Sequence, residues 1–317
     1  MASSNVTTSN VGFTKPVNVI VGLVFLLTAA VGILFNGCII IVFLKKRQKL
    51  LNPTTCFILA LTCLDFFMSL VNMPMVIVSS FLGDWAFGIP GCIFYGFTMT
   101  FTGLTIIAIL TMISFDQYIV MVKSHLKCKR TIRIAILACL MCFLWGLSWA
   151  VGPLVGWNSY VFTIEAVHTS CAVNWNSKKV SDLLFTMSLL VFCFLLPFSF
   201  VSFFYVNIYL KVKRSPRINT KSSNKKRQER RQKYIAKTIF FMLGAFLLSW
   251  CPYAIVVIWS AIGDSRDLPN LVVILPALFA KISVIWNPLI YAFRNRELKN
   301  SWKAIFHSDR ETEAEPT

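Results

Sequence analysis

Charge is what this chain has least of: 14% of its 317 residues are charged and 56% are hydrophobic. A water-soluble domain carries roughly a quarter of its residues as charges, so this composition excludes one. Acids are the scarcer sign, with 13 Asp and Glu against 31 Lys and Arg, and only Asp65 lies deep in an apolar run. A removable leader is not expected either. The first apolar run has no charged region before it and no small-residue cleavage site after it, so it is expected to stay as a span.

Long apolar runs are what is there. Seven are read, at about 17–43, 54–80, 91–122, 132–154, 183–210, 233–262 and 270–292. Each is long enough to cross a hydrocarbon core of about 30 Å. Only a helix satisfies its own backbone inside lipid, so the predicted fold is all-α, a seven-transmembrane helix bundle. After the last run, ELKNSWKAIF (297–306) sets Leu298, Trp302, Ile305 and Phe306 at helical spacing, which predicts a short amphipathic helix on the membrane surface. The expected organisation is an outer tail at 1–16, the bundle with its surface helix at 17–306, and an inner tail at 307–317.

Basic residues set the orientation. Lys45, Lys46, Arg47 and Lys49 follow the first run, Lys123, Lys127, Lys129, Arg130 and Arg133 lie around the end of the third, and the densest group lies between Lys211 and Lys237. The opposite loops hold Lys178, Lys179 and Arg266. The positive-inside bias therefore predicts an extracellular N-terminus and a cytoplasmic C-terminus in the cell membrane. Asn5, in the sequon Asn5-Val6-Thr7, is a glycosylation candidate on the outer side. The net charge of +18 points to anionic membrane lipid and an intracellular protein as partners, not to nucleic acid. No metal site and no catalytic residues are expected.

Most of the ten cysteines fall inside spans, where Cys is a small hydrophobe. Cys92, at the outer end of the third span, and Cys171, in the long outer loop, both face an oxidising compartment and are expected to bridge.

One cation stands inside a span: Lys281, in the seventh. An intramembrane lysine is either paired with a carboxylate on a neighbouring helix or held for chemistry. Asp65 lies toward the inner end of its span and Lys281 toward the outer half of its own, a poor match for pairing. A buried amine lacking a close anion loses its proton readily and becomes a nucleophile for an aldehyde. Residue types alone leave both readings open.

FAKISVIWNPLIY (279–291) resembles the seventh helix of animal opsins, in which the retinal-bearing lysine stands six residues before the Asn of an NPxxY motif, here Asn287, Pro288 and Tyr291. The resemblance extends over nearly the whole chain and is to rhodopsin-like G-protein-coupled receptors. It takes in Asn36, LALTCLD ending in Asp65, WAFG before Cys92, GPLVGW (152–157), Pro197 with Tyr205, and SWCPY (249–253). It implies retinal as cofactor, 11-cis in the dark and all-trans after light, held as a Schiff base on Lys281, with Trp250 and Tyr253 along its pocket. Vertebrate visual pigments place a counterion carboxylate three residues after the helix-three cysteine; here that residue is Tyr95, which is expected to line the retinal site without that charge. Glu165, six residues before Cys171, matches the loop glutamate of invertebrate-type, bistable pigments. Asn36, Asp65 and Asn287 are expected to hydrogen-bond one another, and Pro197, Pro252 and Pro288 to bend their helices.

Two departures bear on coupling. The third helix ends in Asp116-Gln117-Tyr118 where the family has an arginine in the middle, and the acidic partner expected on helix six is Gln232. A neutral Gln117–Gln232 hydrogen bond is the expected replacement for that lock. The expected function is a light receptor acting on a heterotrimeric G protein, with arrestin as a second partner, although the tail offers few phosphorylation sites (Ser308, Thr312 and Thr317). A retinal photoisomerase resembling retinochrome or peropsin is the alternative, and so is a receptor for a diffusible ligand. The third helix lacks the buried carboxylates that a light-driven proton pump needs.

Overall fold

The computed structural model describes residues 11–45, 51–163, 169–214, 223–263 and 268–294. The predicted surface helix at 297–306, the inner tail at 307–317 and Asn5 lie outside the described residues. Seven helices are long and apolar enough to cross a membrane: α1 (Val11–Lys45), α2 (Pro53–Leu82), α3 (Gly88–Met121), α4 (Ile132–Leu154), α5 (Val180–Arg214), α6 (Ser223–Ile262) and α7 (Leu271–Tyr291). Helix α1 reaches back to Val11, into the segment expected as a tail. A helix need not stop where hydrocarbon stops, because its backbone bonds are internal. The chain is a multi-pass membrane protein with the predicted all-α fold.

Helix starts follow local chemistry. Asn52 caps α2 by accepting from the Thr55 backbone N–H while Thr55 Oγ1 accepts from Asn52 N, with Pro53 in the first turn, where its missing N–H costs nothing. Thr131 caps α4 by accepting from Ile134 N. Helix α2 ends at Gly83, whose φ of 86° is open to glycine without strain.

Prolines shape the interior of the spans. A proline ring collides with the carbonyl four residues earlier and leaves it without a donor. In α5 a widened π turn, Leu190–Leu195, ends just before Pro197, and in α2 a π turn, Met68–Asn72, precedes Pro74. Pro252 lies inside the continuous α6. In α7 a tight 3-10 turn, Ser283–Ile285, precedes Pro288.

Helix α3 is central, packed by α2, α4, α5 and α6. Its Ile109, Ile113 and Leu110 are almost fully buried. Helix α4 turns a stripe of small residues inward, Ala135, Cys139, Cys142, Gly146 and Ala150, which lets backbones approach, as membrane helix packing requires. A Cβ on Gly146 would lie 2.1 Å from Thr105 Oγ1 of α3. Large side chains such as Leu27, Leu144 and Leu248 are more than half exposed on the outside, where lipid is the solvent. The two ends of the bundle are named below by what they carry, a disulfide end and a basic end.

Candidate functional site: a lysine-bearing cavity at the disulfide end

Between α4 and α5 the chain forms an antiparallel hairpin, β1 (Tyr160–Thr163) with β2 (Ser170–Val173), Phe162 facing Cys171. Cys171 is bonded to Cys92 at the start of α3, with the two Cα atoms 5.4 Å apart, as expected. Tyr160 Oη donates to Ala150 O at 2.8 Å and holds β1 to α4. Burial pushes that hydroxyl's pKa up, which keeps it a donor. The hairpin therefore lies across the bundle mouth.

Beneath it is a cavity with about 670 Å3 of atom-free space, the open solvent at its mouth included. Helix α3 supplies Tyr95, Met99 and Gly103, the hairpin supplies Cys171 and Val173, α6 supplies Trp250 and Tyr253, and α7 supplies Lys281. The expected pocket residues Tyr95, Trp250, Tyr253 and Lys281 are thus brought to one space. Lys281 is 7% exposed. Its Nζ donates to Ser170 Oγ at 3.3 Å and lies 6.0 Å from the centre of the Tyr95 ring. The floor is aromatic. Trp250 stacks on Phe246 at 5.5 Å, meets Tyr253 edge-on at 5.9 Å, and donates from Nε1 to Ser283 Oγ at 3.2 Å. Gly103 leaves room for this ring: a Cβ there would stand 3.3 Å from Trp250 Cη2.

Asp65 is not beside the lysine. It accepts from Asn287 Nδ2 at 3.0 Å, and Asn287 is six residues, about 9 Å of helix rise, beyond Lys281. Asn36, expected in the same contact, instead donates to the Val284 carbonyl at 3.3 Å. Val284 stands four residues before Pro288, so its carbonyl is the one the proline deprives of a donor. Asn36 fills that vacancy, and the expected three-way contact becomes two. Glu165 lies outside the described residues.

The family model for the 7 transmembrane receptor (rhodopsin family) matches residues 35–291. The chain belongs to the rhodopsin family of seven-transmembrane receptors. It is similar to the human visual pigment-like receptor peropsin, 28% identical over 93% of this chain and 86% of the relative. It is also similar to the G0-coupled rhodopsin of Mizuhopecten yessoensis, 33% identical over 89% of this chain and 71% of the relative. The crystal structure of squid rhodopsin superposes with a TM-score of 0.85 at 28% identity, covering 96% of this chain and 93% of that one. These relatives make it an opsin-type receptor.

At the basic end the acid beside Gln117 is paired in a way that the sequence did not reveal. The expected Gln117–Gln232 hydrogen bond is absent. Gln117 turns toward α2 and donates to Asp116 Oδ2 at 3.3 Å and, at 3.5 Å, to Thr54 Oγ1, while Gln232 is only half-buried on α6. Asp116, buried at the basic end of α3, demands a cation, and Arg130 supplies it. Arg130 Nε and Nη2 reach the two carboxylate oxygens at 2.6 and 2.7 Å, and Nη2 also donates to Thr54 Oγ1 at 2.9 Å. Thr54 Oγ1 donates to Asp116 at 2.6 Å. The clamp joins α2, α3 and the loop before α4. Nearby, Tyr118 packs on Phe203 and Phe204 of α5, and Tyr205 Oη donates to Ala236 O of α6 at 3.5 Å. Tyr291 and Pro288 are buried in the bundle. The available signal for Arg130 was its place directly before the Thr131 cap.

Proposed function

We propose that the protein is a light receptor that carries retinal covalently through the Lys281 amine and acts on a heterotrimeric G protein. The observation that carries this reading is the position of Lys281 Nζ, buried in the wall of a mostly apolar cavity with an aromatic floor. Such a site fits a long apolar chain ending in an aldehyde: the walls take the chain and the amine takes the end. Bound there, retinal supplies a light-driven change of shape.

The residues do the rest. The hairpin and its disulfide keep water from Lys281. Ser170 Oγ lies within hydrogen-bond reach of its nitrogen, and Glu165, on the same loop, is proposed as the negative charge that holds that nitrogen protonated. Trp250 is placed to feel crowding in the cavity and is tied to α7 through Ser283. Displacing it biases α6, which lacks a backbone donor at Pro252. The basic end, with its loop lysines and arginines, is proposed as the cytoplasmic face that meets the G protein, following the positive-inside bias.

Gln117, together with the similarity to peropsin, supports a second reading, a retinal photoisomerase that uses the same cavity without coupling. The test of the first reading is to express the protein, add 11-cis-retinal and record the spectrum. A light-sensitive visible band that disappears in Lys281→Ala is the expected result; no band, or one that survives the substitution, overturns the reading. Light-dependent nucleotide exchange on a G protein then separates receptor from isomerase.

A further inference from the structure

We propose that Lys178 and Trp175 are positioning residues for the Lys281 cavity, fastening its loop wall to the disulfide end of α6. The hairpin is held to α3 by the disulfide and to α4 by Tyr160. The segment that leads from β2 into α5 makes a third attachment. Trp175 lines the cavity, and its indole Nε1 donates to Tyr253 Oη at 3.0 Å. Three residues on, Lys178 Nζ donates to the carbonyls of Ser260 at 3.2 Å and Ala261 at 3.3 Å, and to that of Gly263.

Those carbonyls close α6. The last turn of a helix leaves its carbonyls without intrahelical donors and carries the negative end of the helix dipole. An ammonium has three N–H donors and no acceptor, so one lysine meets three of these oxygens. Both ties land beyond Pro252, on the part of α6 that walls the cavity through Tyr253. Without them this part of α6 and the loop could separate, opening the cavity beside Trp175. Tyr253 would also lose the hydrogen bond that Trp175 donates to its hydroxyl.

This inference rests on the reading of Lys281 as the chromophore site, so its test has two arms. In the protein without retinal, Lys178→Met should raise amide hydrogen exchange in 254–263 by about tenfold, the effect of losing a charge-assisted helix-end contact, and Lys178→Arg should restore protection. In the retinal-bound protein, Lys178→Met and Trp175→Phe should each speed dark bleaching by hydroxylamine several-fold, and the pair together more. Exchange and bleaching within twofold of the parent in all variants would overturn the proposal. Failure of the parent to bind retinal would sink the chromophore reading instead, and the exchange arm would still decide whether the ties hold α6.

Discussion

The Arg130–Asp116 clamp offers the sharpest energetic test. Arg130→Met keeps most of the side-chain volume and removes the charge, leaving Asp116 with the hydroxyl of Thr54 and the amide of Gln117 as donors. The side chains are 19% and 7% exposed. Removing one partner of a fully buried pair costs about 3–5 kcal/mol. Water reaches Arg130 and two other donors remain, so about 2–3 kcal/mol is expected. Asp116→Asn alone strands the guanidinium less severely, since Arg130 can turn toward solvent and still reach Thr54. In the double variant no buried charge is left, and its cost should fall short of the summed single costs by about 1.5 kcal/mol or more. The assay is the thermal midpoint of purified protein at matched scan rates, read as a rate-dependent midpoint if unfolding is irreversible. A fall of roughly 2–4 °C per kcal/mol applies at 150–250 residues and somewhat less at this length. Additive effects, or a shift below about 1 °C for Arg130→Met, would show that the pair is not the anchor of the loop before α4.

Other outcomes follow from the same geometry. If Glu165 is the counterion, Glu165→Gln should leave the retinal-bearing nitrogen of Lys281 unprotonated near neutral pH, so the visible band should move to the ultraviolet and return on acidification; an unchanged spectrum removes Glu165 from that role. Gly103→Leu should push into Trp250, where even a Cβ stands at 3.3 Å, and reduce pigment yield in a retinal reconstitution, whereas Gly103→Ala should be tolerated far better. If Gln117 limits coupling, Gln117→Arg should raise light-dependent nucleotide exchange about fivefold or more, and no gain would favour the isomerase reading. Cys92→Ser with Cys171→Ser removes a cross-link across 79 residues. Chain entropy sets its upper value at about 4.5 kcal/mol, and confinement of the unfolded chain to the membrane makes the observed loss of thermal stability smaller.

The seven spans, the disulfide and the gathering of Tyr95, Trp250, Tyr253 and Lys281 were legible before any coordinates. Apolar run length is a local property, and hydrocarbon permits only one backbone solution to it. The cysteine pairing followed from which loops face an oxidising space, and the buried lysine from the rarity of charge around it. Partner choice at the basic end was not legible. Asp116 could have found its cation anywhere within reach, and only the rotation of α3 and the path of the loop before α4 bring it Arg130 while turning Gln117 away from Gln232. The same holds for Asn36, whose acceptor exists because Pro288 frees the Val284 carbonyl and because α1 lies against that turn. Ser170 beside Lys281, and Lys178 at the end of α6, depend on how a disulfide-pinned hairpin drapes over the bundle. Sequence by itself determined which segments enter the membrane and which amine is buried there. Tertiary structure alone decided which polar groups meet, because a hydrogen bond needs its partners within about 3 Å, and composition does not encode that distance.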